Sequence, residues 1–227
     1  MTRLFRKVQQ RLVTLYGQEH YYTQKYSGEE GGYIGSIPVW LYYLRVNNVG
    51  GLGDVLDIGP GYGTLACYSS KLGANSVTTL DRVPFISQAV IDEYKLIALE
   101  GDVERNCPTL APNTYDTVII TEVLEHLNFH PLLTLMKIEE SMRVNGTLYL
   151  STPDQTSWGK LTKHYSRLID IPVYNRHHAL DEWKDEHIWH YSYEEVLQLL
   201  AAANLKIKAI RYSASPGGRH FNIEAVK

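Results

Sequence analysis

Three groups of residues in this 227-residue chain have side chains and spacing suited to chemistry. The first is Asp57-Ile58-Gly59-Pro60-Gly61-Tyr62-Gly63, with glycine at every second position behind an acid. Such glycines let backbone come close to a ligand, and the free N–H groups of a helix opening at Thr64 would face it. The second is Asp81, 24 residues beyond Asp57. An acid at the tip of the next strand is placed to bind both hydroxyls of a ribose; otherwise it caps the helix before Pro84. The third is Glu122, Glu125 and His126, spaced i, i+3 and i+4, which share one face of a helical turn. That turn admits three chemistries. His126, oriented by a carboxylate such as Glu125, takes a proton as a general base. Alternatively the three side chains hold a divalent metal with a distant histidine. The plainest reading is that Glu125 and His126 cap a helix and bond the backbone.

The elements that must position these groups follow from apolar periodicity. Residues 55–58 read as a short buried strand and 64–72 as a helix stopped by Gly73. Strands are expected at 76–80, 96–99, 115–120 and 147–151, with helices at 84–94 and 132–142 between them. This alternation predicts an α/β fold, a doubly wound and mostly parallel sheet with ligands at its strand ends. Ser192-Tyr193-Glu194-Glu195 is a capping box ahead of a helix with Val196, Leu199, Leu200 and Ala203 on its core face. Strands at 205–210 and 219–226, joined by Pro216-Gly217-Gly218, make a terminal hairpin and bring the count to seven, the last strand antiparallel.

Two segments stand outside that pattern. Residues 1–35 form an N-terminal cap ahead of a domain spanning 36–227. Within it, 2–16 read as a basic amphipathic helix docked on the domain, with a membrane-surface or targeting helix as alternatives. Residues 17–35, polar, aromatic and glycine-rich, read as a mobile flap or an ordinary surface loop. Residues 155–191 read as an inserted lid over the strand ends, whose aromatics could wall a pocket. The lid holds His177, His178, His187 and His190 without a tight metal-ligand spacing.

Composition bounds the rest. A net charge of −3 argues against a broad nucleic-acid surface, and 44% apolar residues suffice for a core. No run approaches the ~18 apolar residues of a membrane helix. Cys67 and Cys107 form no disulfide or metal pattern, which predicts a reducing compartment, the cytoplasm.

The glycine pattern is not the G-x-G-x-x-G of dinucleotide binders, because its third glycine comes one residue early and Thr64 follows. The alternating G-x-G-x-G behind Asp57 resembles motif I of the class I S-adenosylmethionine-dependent methyltransferases, and a carboxylate suits the ammonium and sulfonium of that donor. The run from Asp116 through Glu122-Val123-Leu124-Glu125-His126-Leu127 resembles the post-strand motif of a large subgroup of that family. The resemblance is good over residues 53–152 and extends over 187–226. It implies a Rossmann-like seven-stranded fold with S-adenosylmethionine as donor and S-adenosylhomocysteine as product. It assigns donor binding to Asp57, Gly59, Pro60, Gly61 and Gly63 of the loop and to Asp81 with Arg82. Asp102 would accept from the adenine amino group, Val103 would pack on the ring, and Glu122 would complete the set.

The resemblance also points to His187, which falls where many family members place a histidine facing the methyl acceptor. His126, His187 and Glu125 are therefore the expected catalytic residues, with no metal. The fourth strand is not followed by the N-P-P-Y-type tetrad of amide and base-amine methylation. The expected acceptor is a small-molecule hydroxyl, amine or activated carbon. Two alternatives stay open. Glu122, Glu125, His126 and His187 also resemble the metal-binding set of the small-RNA 3′-end 2′-O-methyltransferases. A non-catalytic donor-binding module docking a protein partner is the other.

Overall fold

A computed structural model of the chain describes residues 2–105, 110–175 and 183–227. Strand β1 (Asp54–Ile58) lies at the centre of a seven-stranded sheet. To one side come β2 (Ser76–Asp81) and β3 (Ile97–Glu100), to the other β4 (Tyr115–Thr121) and β5 (Met142–Pro153). The order is β3-β2-β1-β4-β5-β7-β6, with β6 (Lys206–Ser215) at the edge and β7 (Gly218–Val226) beside β5. β7 runs antiparallel to both its neighbours, and the other pairings are parallel. The chain leaves β1 towards β2 and later returns to β4 on its other flank, so the crevice above β1 and β4 is the topological switch point.

Both sheet faces are covered by helices. Leu65, Ala66 and Tyr68 of α4 (Thr64–Lys71) and Val90 and Tyr94 of α5 (Gln88–Tyr94) fill one face. Leu135 and Ile138 of α6 (Leu132–Ser141) and Val196, Leu199 and Leu200 of α8 (Tyr193–Ala202) fill the other. The capping box at Ser192 and Glu195 forms as expected: the Glu195 N–H donates to Ser192 Oγ at 3.2 Å, and the Ser192 N–H donates to Glu195 Oε2 at 2.9 Å.

The basic N-terminal helix α1 (Arg3–Tyr16) docks on the domain, burying Phe5, Val8 and Leu12. Phe5 meets Tyr68 edge-on at 5.3 Å, and Arg11 pairs with Glu93 of α5. Residues 17–35 are not the irregular flap read from their glycines. A π-helical turn, Tyr22–Tyr26, leads into α2 (Ser27–Ile34), and α3 (Ile37–Asn47) follows. The glycine at 32 serves close packing: a Cβ there would meet Ser215 Cα at 2.8 Å. Asn222 fixes the same junction by donating to Tyr33 O and accepting from the Ser36 N–H, both at 2.9 Å.

The segment after β5 contains a short helix, α7 (Gln155–Trp158), and a 3₁₀ turn at Leu168–Asp170. Its last part, 184–191, is bonded to the loop after β4. Asn128 exchanges hydrogen bonds with both the N–H and the C=O of Lys184, and Tyr191 Oη donates to Leu124 O at 2.9 Å. His177, His178 and Cys107 lie outside the described residues.

Candidate active site

The glycine loop turns β1 into α4 through left-handed backbone, with φ of +63° at Gly59, +54° at Gly61 and +83° at Gly63. Only glycine takes such angles without strain. Space is equally tight. A Cβ on Gly59 would come within 2.2 Å of Val123 Cγ2, and one on Gly61 within 3.2 Å of Tyr26 Oη. The Gly63 N–H bonds Pro60 O at 2.9 Å, closing the turn from behind.

Asp57 ends up beneath this loop, 1% exposed, and neither carboxylate oxygen meets a hydrogen-bond partner in bonding geometry. Burial raises its pKa well above the carboxylate range, Asp81 adds to the rise, and the Ala66 amide opposes it. A buried carboxyl with no partner marks a place where a cationic or hydrogen-bonding group is missing.

A cavity of about 300 Å³ opens in front of the loop. Gly59, Gly61, Asp81, Asp102, Val103 and Glu122 line it, as does Arg82; Asp57, Pro60 and Gly63 do not reach its surface. Asp81 sits at the tip of β2, where burial raises its pKa and the amides of Val83, Arg82 and Gly61 hold it down. Both carboxylate oxygens of Asp102 are engaged. Its Oδ1 accepts from the Glu104 N–H at 3.0 Å, and its Oδ2 lies 2.9 Å from Arg105 Nε and 3.4 Å from Arg82.

At the end of β4 the expected single helical face is absent. Glu122 takes a left-handed φ of +54°, and Leu124–His126 forms a 3₁₀ turn instead of an α-helix. The side chains converge even so. Ser151 Oγ donates to Glu122 Oε1 at 2.8 Å, and Thr152 Oγ1 donates to Glu125 Oε2 at 2.8 Å. Burial pushes Glu122 up to about 8 and Glu125 well above its ordinary value, each carboxyl facing the other. Glu125 Oε1 and His126 Nδ1 have no hydrogen-bond partner.

The lid segment brings the distant histidine. The N–H groups of Ile188 and Trp189 donate to Glu125 O at 2.7 and 3.3 Å. This sets the His187 ring edge-on to His126 with centroids 4.7 Å apart. One ligand atom each from Glu125, His126 and His187 lies within 4.8 Å of the other two. Burial lowers the pKa of His126 and pushes His187 down to about 4, aided by the neighbouring histidines, so both rings are neutral at physiological pH. Of the three residues only His126 reaches the cavity wall.

Three further residues stand at or beside the cavity without having been assigned a role from the sequence. Tyr26 enters the cavity from the π-helical turn. Trp183 enters from the lid, with the Arg82 guanidinium 4.1 Å from its ring centre. Glu104, 4% exposed, accepts from the Asn128 and Phe129 N–H groups, and burial pushes its carboxyl up to about 7. The density of tyrosines before the loop was the available signal for Tyr26, and the aromatic lid was the signal for Trp183; Glu104 had none.

Comparisons with known proteins bear on the family and the fold. The family model described as "Methyltransferase domain" matches residues 38–210. Ribosomal protein L11 methyltransferase of Shewanella denitrificans is 30% identical over 148 residues, 63% of this chain and 46% of that protein. The chain thus spans about half the length of the curated relative it matches. Among solved structures, the 1,6-didemethyltoxoflavin N1-methyltransferase of Burkholderia thailandensis, with 1,6-didemethyltoxoflavin and S-adenosylhomocysteine bound, aligns at a TM-score of 0.63 and 16% identity, over 98% of this chain and 88% of that one. The N-methyltransferase NodS of Bradyrhizobium japonicum aligns at 0.57 and 13% identity, over 85% of this chain and 95% of that one. Such likeness shows the shared fold. The family match takes in the whole glycine loop, Asp81 and the 122–126 turn, and on it the chain belongs to the methyltransferase domain family.

Proposed function

We propose that this enzyme transfers the methyl group of S-adenosylmethionine to a small-molecule hydroxyl, amine or activated carbon. The observation that carries the proposal is the single cavity running from the glycine cradle to His126, behind which Glu125 and His187 stand. The residues fit the donor. Asp57 is a buried carboxyl lacking a partner, and the cradle is one that a Cβ would fill. Asp57 and the loop at Gly59, Pro60, Gly61 and Gly63 would hold the methionine end, with Glu122 beside it. Asp81 and Arg82 would hold the ribose side, Val103 would pack on adenine, and Asp102 would accept from its amino group. When bound, the donor supplies a methyl group already activated by its sulfonium.

The chain's own work is to hold the acceptor in line, keep water out and take up a proton. Alignment can supply roughly 7–11 kcal/mol of the barrier, and a general base about 10²–10⁴-fold. His126 and His187, both neutral, are the proton acceptors; Glu125 holds the segment after His187 through its carbonyl, and Thr152 holds the Glu125 carboxyl. That the 1,6-didemethyltoxoflavin N1-methyltransferase of the same fold holds 1,6-didemethyltoxoflavin and S-adenosylhomocysteine is in keeping with this acceptor class.

Two measurements test the reading. Asp57→Ala should remove S-adenosylmethionine binding in calorimetry, and unchanged affinity rejects the donor site. Incubating the enzyme with isotopically labelled donor and host extract should label a small molecule. Label in protein or RNA would overturn the acceptor class.

A second reading is favoured by one specific observation. Glu125 Oε1 and His126 Nδ1 are orphaned within the Glu125–His126–His187 group. That donor set fits a divalent cation, with Glu122 close by, and such an ion would polarise an acceptor hydroxyl, including the ribose 2′-OH at an RNA end. Metal content of the purified protein and turnover in excess chelator decide this. Full chelator-insensitive turnover of a metal-free preparation disposes of it.

A further inference from the structure

His190 is absent from every role assigned so far, yet it is 4% exposed and both its ring nitrogens are engaged. Its Nδ1 lies 2.8 Å from Gly159 O, and its Nε2 lies 2.8 Å from His187 Nδ1. A carbonyl oxygen can only accept, so His190 Nδ1 must carry the hydrogen. A neutral imidazole has one N–H, which leaves His190 Nε2 bare and able only to accept. The hydrogen between the two rings therefore belongs to His187 Nδ1. His187 Nε2 is then the bare nitrogen, in the ring that stands against His126.

Hydrogen bonds also fix the backbone on both sides of this pair. Gln155 Nε2 donates to His190 O, and the Gln155 N–H donates to Tyr191 O, both at 2.9 Å. The Ile188 N–H donates to Glu125 O. The Trp158 ring lies 5.8 Å from the His187 ring and 5.6 Å from the His190 ring, filling the space beside them.

We propose that His190 is a positioning residue: anchored by the Gly159 carbonyl, it holds His187 in the Nδ1–H tautomer, with its Nε2 lone pair free to take the acceptor's proton or to bind a cation. The inference rests on the reading above that His187 acts in the transfer. It also gives the lid a task beyond covering the site, because Gly159 is the lid residue that ends α7 and its carbonyl sets both tautomers.

The test is a long-range ¹H–¹⁵N spectrum of histidine-labelled full-length protein, which separates Nδ1–H from Nε2–H rings by their two-bond couplings. His187 and His190 are assigned from the His187→Asn and His190→Gln variants. The wild-type protein should show both rings as Nδ1–H tautomers, and an Nε2–H His187 overturns the proposal with no functional assay needed. His190→Phe should leave His187 as a tautomer mixture and reduce methyl transfer from labelled S-adenosylmethionine to host extract by about 10- to 100-fold. Donor affinity should be unchanged. His190→Gln should restore both signals, because its amide can donate to Gly159 O and accept from His187 Nδ1. Folded His190→Phe protein with an unaltered His187 spectrum, or a Gln variant no better than Phe, counts against the relay. Failure of the underlying reading looks different: transfer would survive His187→Asn while the wild-type tautomers stay as expected.

Discussion

At the scale of single residues, the site is a set of polar groups buried ahead of their partners. Asp57, Glu125 and His126 each present an unpaired atom inside the protein. Buried orphans of this kind cost stability, and they persist where a ligand completes them. Donor and proton roles should therefore separate cleanly on mutation. His126→Asn or His187→Asn should lower turnover by about 10²–10⁴-fold while leaving S-adenosylmethionine affinity in calorimetry unchanged. Parallel loss of affinity would place the histidines in the donor site instead.

Glu30 provides a pH signature away from the chemistry. It is 4% exposed and accepts from Gln9 Nε2 at 2.9 Å, and burial still pushes its carboxyl from an ordinary 4.5 up to about 7. Folding thus favours its protonated form. Its contribution is full below about pH 4.5 and is lost as pH rises through about 7, a change on the order of 3 kcal/mol. Urea unfolding at a series of pH values should show stability falling over that window. Glu30→Gln should flatten the fall, and an identical slope in both proteins refutes the assignment. None of this was legible from the chain, where Glu30 is one of two adjacent acids in a glycine-rich stretch. Asp57 and Asp81 were legible, because the loop pattern and the strand spacing fix their places by local geometry alone.

Among the elements, those that stand on local rules came out where the sequence puts them. The helix at Tyr193–Ala202 begins at its capping box, and Ser192→Ala should cost about 1 kcal/mol. The elements misread are those whose cause lies far away in the chain. The helix at Ser27–Ile34 is held by Ser213, Ser215 and Asn222, some 180 positions later, so Gly32 looked like flexibility when it is a contact surface. Gly32→Ala should force backbone apart and cost roughly 1–3 kcal/mol, lowering Tm by about 2–4 °C per kcal/mol in a chain of this size. A variant as stable as the parent would show that the helix can lift from the hairpin. The turn at Leu124–His126 is tighter than the α-helix expected from its spacing. The turn meets the lid through Glu125 O, a backbone contact that no spacing rule contains.

For the whole molecule, the ligand cavity draws on both ends of the fold: Tyr26 from the N-terminal cap, Trp183 from the lid, the loops above β1, β2 and β4 between them. Saturating donor should therefore stabilise the protein globally, by about 2.7 kcal/mol at a hundredfold excess over Kd. Thermal unfolding with and without S-adenosylmethionine checks this, and Asp57→Ala should abolish the shift. The sheet order adds a consequence for biosynthesis. β6 has one ladder neighbour, β7, and β7 alone joins it to β5. On the ribosome, then, the edge strand emerges before β7, the wedge that seats it in the sheet. The same wedge carries Asn222, which pins the junction after the N-terminal helices. The junction at Tyr33 and Ser36 therefore waits for a residue 186 to 189 positions further along the chain before it can settle.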